Sequence, residues 1–166
     1  MGWLFGWDSK KDLIQHLETN GFYSPGYKLL RNSLVGNNHW SLLERPDGTV
    51  TISLELISVS EGKWGYKDLC EDMGPTHVNC PITFINLASP SQSKYAKEWR
   101  ERVHSYHEHK RNRPKYANGQ IWNIYGKEYR LDKKAEKRKG WVGTLIETGQ
   151  LFRIPFRHLA SGELIS

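Results

Sequence analysis

Residues 39–56 constrain the fold more than any other stretch of the chain. His39-Trp40-Ser41-Leu42-Leu43-Glu44 runs into Arg45-Pro46-Asp47-Gly48. Proline presets one torsion of a turn there, and Asp-Gly supplies a local side-chain acceptor and a residue tolerant of positive φ. Beyond the turn Val50, Ile52, Leu54 and Leu56 alternate with Thr51, Ser53 and Glu55. A period of two is the pattern of a half-buried strand, so an antiparallel hairpin is expected.

Further elements follow from the same signals. Gly2-Trp3-Leu4-Phe5 reads as an edge or first strand. Ser9, with Asp12 three residues on, has the form of a helix cap, and Leu13, Ile14 and Leu17 share one stripe. A helix over 10–19, ended near Gly21, is expected, then a strand over 27–35. Residues 60–81 read as a linking segment with a short helix near 66–72. Pro81 opens another helix over 82–87. Ser93 caps the longest helix, 94–111, with Tyr95, Trp99, Val103 and Tyr106 on one face and Pro114 as its stop. Past Asn118-Gly119 the strand pattern returns at 121–125, 128–131, 141–146 and 151–154. Four short strands within so few residues predict a curled sheet or SH3-like barrel.

The fold class expected is therefore α+β. A helix-and-sheet domain with its long helix occupies residues 1–113, and a small β module occupies 117–166. Seven Trp, eight Tyr and five Phe among 166 residues supply large core side chains, which argues against disorder. No apolar run approaches the length of a membrane span, and the first residues lack the pattern of a secretory leader. Gly6 stands where an N-myristoylation motif has Ser or Thr. Two cysteines do not make a disulfide framework, and a cytoplasmic location is expected.

Charge is divided unevenly. Residues 1–93 carry seven Lys/Arg against ten Asp/Glu, a net of −3, whereas residues 94–166 carry seventeen against eight, a net of +9. Such asymmetry points to an anionic partner, either nucleic acid or an acidic protein surface, and the competing account is a solvated face that keeps the protein soluble. The basic run Lys133, Lys134, Lys137, Arg138 and Lys139 lies between Tyr129 and Trp141. Lysine and arginine neutralise phosphates while aromatic rings stack on bases. Arg100, Lys110, Arg111, Arg113 and Lys115 extend the candidate patch, and the histidines at 104, 107 and 109 add charge at low pH.

Residues 65–75 hold the densest acidic cluster, Asp68, Glu71 and Asp72, ahead of Met73-Gly74-Pro75. Those carboxylates are the candidates for a small hydrolase or metal-dependent nuclease, and local capping and ion pairing is the competing account. Cys70, His77 and Cys80 are donor types for zinc, with His104 or His107 to complete a set, although the spacing is not that of a compact knuckle. Asp47 with Glu61-Gly62-Lys63 loosely resembles an Asp…Glu-x-Lys nuclease constellation. No phosphate-binding glycine loop, nucleophile elbow or zinc-protease helix is present. No cofactor is implied, and nothing in the sequence specifies an oligomeric state.

Trp40-Ser41-Leu42-Leu43-Glu44, then Gly65-Tyr66-Lys67-Asp68 through Met73-Gly74-Pro75, then Tyr95-Ala96-Lys97-Glu98-Trp99-Arg100, together resemble an uncharacterised family of proteins from bacterial plasmids, phages and other mobile elements. The resemblance covers about residues 1–105. It implies no catalytic residues. It fits a non-enzymatic binding protein that meets nucleic acid, or the acidic face of a host protein as an inhibitor of a host defence system.

Overall fold

The computed structural model describes residues 2–20, 26–136 and 139–166. The chain divides into two compact units, Met1–Arg111 and Asn112–Ser166. Its class is α+β, with helices beside two antiparallel sheets. Among the described residues no helix is long and apolar enough to cross a membrane.

The first unit opens with β1 (Leu4–Trp7) and α1 (Lys10–Asn20). As the cap pattern predicts, the Asp12 amide donates to Ser9 Oγ at 3.1 Å and the Ser9 hydroxyl donates to Asp12 Oδ2 at 2.6 Å. The expected terminator, Gly21, lies outside the described residues. Four strands follow, β2 (Lys28–Val35), β3 (Asn38–Glu44), β4 (Val50–Ser60) and β5 (Lys63–Cys70), in a sheet ordered β1-β5-β4-β3-β2. The β3–β4 hairpin is as expected, with Trp40 opposite Leu54 and Leu42 opposite Ile52.

Alternation sends Trp40, Leu42, Ile52 and Leu54 to one face. There they meet α2 (Ile82–Leu87) and α3 (Lys94–Arg111) through Phe84, Ile85, Trp99 and Val103. Trp40 and Trp99 stack with centroids 5.7 Å apart, and the Trp99 indole donates to the His77 carbonyl at 2.8 Å. The opposite face was expected to be wet. Instead Glu55 is 0% exposed, and Thr51, Ser53, His39 and Ser41 are buried with it. Part of that face lies under α1, where Leu13 and Leu17 pack on Ile57.

Residues 60–81 differ from the linking segment expected. β4 continues to Ser60, Glu61 and Gly62 turn with φ of 50° and 76°, and β5 returns along β4 with Ser60 opposite Lys63. Only a single turn of 3-10 helix, Glu71–Met73, stands where a helix over 66–72 was expected, so Cys70 ends a strand. Pairing on both sides decides this, since β5 sits between β4 and β1. Gly65 permits it, because a Cβ there would overlap the Leu4 carbonyl and the Phe5 ring. In α3 the buried stripe is Ala96, Trp99 and Val103, while Tyr95 is 64% exposed.

The second unit holds β6 (Ile121–Ile124), β7 (Lys127–Lys134), β8 (Gly140–Leu145), β9 (Leu151–Pro155), the single-turn helix α4 (Phe156–Leu159) and β10 (Glu163–Leu164). The sheet order is β10-β6-β7-β8-β9. The last strand therefore returns past the helical turn to pair with the first. Trp122, Ile124, Leu131, Trp141, Ile154 and Leu159 form its core.

Candidate nucleic-acid interface

The division into units sharpens the charge asymmetry. Met1–Arg111 contains thirteen Lys/Arg and thirteen Asp/Glu, a net of zero. Asn112–Ser166 contains eleven against five, so the whole net charge of +6 belongs to the second unit.

Strand register arranges part of that charge. Lys133 lies opposite Val142, and Val142 lies opposite Arg153. One step along, Arg130 lies opposite Thr144, and Thr144 opposite Leu151. Residues directly opposite share a face of a sheet, and alternate residues along β8, Trp141, Gly143 and Leu145, are buried. Arg130, Lys133 and Arg153 therefore stand together on the outer face of β7, β8 and β9. A bulge between Leu131 and Lys133 inserts Asp132 into this row.

Asp132 accepts from the Thr144 hydroxyl at 2.6 Å and from Arg130 Nε at 3.0 Å. The Thr144 hydrogen bond, opposed by slight burial and helped by Arg130, holds this carboxylate below its usual range. Arg130 is thus oriented and partly neutralised. Lys133 and Arg153 are exposed and have no ion-pair partner among the described residues. Lys133 and Arg153, a cross-strand neighbour apart, line one shallow cleft with Lys134 and Glu136, and three cations against one carboxylate make a surface on which an anion replaces water.

Other predicted residues fall variously. Lys134 and Lys139 are exposed at either end of the β7–β8 connection. Lys137 and Arg138 lie outside the described residues. Lys110 and Arg111 are exposed at the end of α3, and Arg113 and Lys115 are exposed where the second unit begins. Trp141 is 3% exposed in the module core, so it has no ring face to offer a base. Tyr129 is half-buried, edge-on to Phe152 at 5.8 Å. Arg130 and Arg153 were missed by sequence reasoning. Their signal was available in the alternation of β7 and β9 but was overshadowed by the denser lysine run.

Arg100 leaves the predicted patch altogether. Its guanidinium grips Glu71 with Nε to Oε2 at 2.7 Å and Nη2 to Oε1 at 2.8 Å, and Nη1 donates to the Ser89 carbonyl at 2.8 Å. Glu71 also accepts from the Thr51 hydroxyl at 2.9 Å. Asp72 accepts from Arg45 at 3.1 Å and from the Ser91 hydroxyl at 3.4 Å. Of the acidic trio, Glu71 and Asp72 therefore tie α3 and the loop before it to the sheet. Asp68 stands apart on β5 opposite Glu55, and burial raises its pKa above the usual carboxylate range.

Nor do the proposed metal ligands converge. Cys70 is exposed on a strand end, whereas Cys80 is 0% exposed in the core, where burial pushes its thiol pKa up. His77 lies between them in the chain, half-buried, and His107 bonds to the Cys80 carbonyl at 2.7 Å. Among the described residues no three His, Cys, Asp or Glu side chains cluster closely enough for a metal ion. The nuclease-like set is dispersed too. Asp47 caps the β3–β4 turn by accepting from Thr49, and Glu61 sits at the β4–β5 turn, with all of β4 between them.

No family model, no curated protein and no solved structure matches the chain.

Proposed function

We propose that the protein is a nucleic-acid-binding protein, without catalytic activity of its own, that grips phosphates with the outer face of β7, β8 and β9. The observation that carries this reading is the pairing across β8 of Lys133 and Arg153, neither in an ion pair among the described residues, in the unit that holds the entire net charge. Phosphate contacts provide affinity without sequence readout, and each one releases condensed counterions. The first unit, electrically balanced and internally ion-paired, is the scaffold or a separate docking module in this reading. Such a role fits the resemblance to mobile-element proteins, which handle their own nucleic acid or intercept a host factor that does.

Fluorescence anisotropy with labelled single- and double-stranded DNA and RNA, over a salt series, tests the proposal. Binding should weaken steeply with salt. The triple variant Lys133→Gln, Lys134→Gln and Arg153→Gln should bind more weakly to every sequence, with the logarithmic salt slope reduced by about 2–3. If no nucleic acid binds at low salt, the reading is wrong. The basic face then belongs to an acidic protein surface, which a pull-down from host lysate with the same triple variant as control would identify.

A further inference from the structure

We propose that the second unit also carries a base-stacking surface along α4, and that the nucleic acid it takes is single-stranded. This rests on the phosphate-binding reading and adds to it a different set of side chains. Leu159 is 0% exposed and anchors the helix to the module core, while Phe156 and Arg157 are exposed and His158 is half-buried. Phe156 is 38% exposed, and its ring lies 5.8 Å from Tyr116 with an angle of 32°. Arg157 is exposed, with Nε 3.3 Å from His158 Nε2. The His158 ring meets Tyr125 edge-on at 5.6 Å and 75°. Two aromatic pairs thus flank one arginine.

Tyr125 is the most telling member. It opens the two-residue β6–β7 turn at φ 53°, followed by Gly126 at φ 81°, and the Asn123 side chain accepts from the Gly126 amide at 3.0 Å. Such turns favour Asn, Asp or Gly at their first position, because a bulky side chain at positive φ is strained. Here the position holds a tyrosine that is 74% exposed, so the strain is not repaid by burial of the ring. Residues kept in sparsely populated conformations cluster where they serve a ligand.

The surroundings select the ligand. Lys115 precedes Tyr116, Lys127 follows Gly126 and Arg157 lies between the ring pairs, three cations against Glu128 and Glu163, which stand opposite Asn123 on either side. Exposed rings interleaved with cations match a polyanion whose own rings are accessible. Bases inside a duplex have no free face, so unpaired bases are the partners of Tyr125 and Phe156. α4 continues directly from β9, so one strand can engage Arg153 by its phosphates and α4 by its bases.

The test uses the full chain and three labelled probes of equal length: an oligothymidylate, an abasic strand and a duplex. The oligothymidylate should bind about tenfold tighter than the abasic strand, which presents the same phosphates without bases. Tyr125→Gly should lower oligothymidylate affinity about five- to tenfold and leave abasic binding unchanged. Glycine suits that turn position, so the variant should melt no lower than the parent. Phe156→Ala should act in the same direction. Equal affinity for oligothymidylate and abasic strand, with the salt slope retained, would overturn the stacking surface and leave the phosphate site standing. Absence of binding to all three probes overturns both.

Discussion

At the scale of single residues, the informative side chains are polar groups that the fold has taken out of water. Glu71 and Arg100, with side chains 3% and 14% exposed, hold a bidentate pair between the loop after β5 and α3. Removing one partner of such a pair strands the other charge. Glu71→Ala should therefore destabilise the first unit by about 3–5 kcal/mol, read as a lower urea midpoint with an unchanged m-value. Glu55 makes a second case. It accepts from Ser53 at 2.7 Å and Ser41 at 3.2 Å and bonds His39 at 2.8 Å, yet burial outweighs those bonds and raises its pKa. A carboxyl whose folded pKa is raised binds more protons folded than unfolded, so stability falls as pH climbs from the ordinary carboxylate value toward the raised one. Asp68 adds to that slope with the same sign. Denaturation of Glu55→Gln across this range should show a flatter dependence than the parent. An unchanged slope would mean that Glu55 is not the titrating group.

At the scale of elements, β5 shows how tertiary pairing overrides a local pattern. Lys63-Trp64-Gly65-Tyr66-Lys67-Asp68 has neither clean alternation nor a run of β-branched residues, and it reads as loop and helix until β1 and β4 are both available. Gly65 is the contact point between β5 and β1. Gly65→Ala should push β1 off the sheet edge at a cost of about 1–3 kcal/mol, seen as a lower melting temperature and faster amide exchange in Leu4–Trp7. The α3 stripe was legible in part. Trp99 and Val103 were placed on the buried face, but Tyr95 was too, because a period of about 3.6 admits either Tyr95, four residues before Trp99, or Ala96, three before it, as the preceding turn's contact. Trp99→Ala should cost about 3–5 kcal/mol, since it removes both the Trp40 stack and the bond to the His77 carbonyl.

At the scale of the whole molecule, two units with separate cores are joined through an exposed, basic stretch that includes Lys110, Arg111, Arg113 and Lys115. Brief trypsin treatment should cut there before it cuts elsewhere, giving two protected fragments that mass spectrometry would place on either side of Asn112. Early cleavage inside β3, β4 or β8 instead would contradict the two-unit division. The charge division makes a functional expectation of the same boundary: only the fragment beginning near Asn112 should retain salt-sensitive binding to anionic partners.

The features legible in the chain alone were those encoded locally. The β3–β4 hairpin, the Ser9 and Ser93 helix starts, the α+β class and the surplus of positive charge after residue 94 all follow from turn chemistry, periodicity and counting. Which charges remain available depends on contacts between residues distant in the chain. Arg100 was counted as a binding cation and proved to be Glu71's partner, because residues far apart in the chain meet across α3. Trp141 was counted as a stacking ring and proved to be core, because alternation along β8 turns it inward. Arg153 became part of a cationic face through its register with β8, and Tyr125 became an exposed ring through a turn. Charge and ring content are properties of composition, whereas exposure and neighbours are set by register, which a chain acquires only when its strands pair.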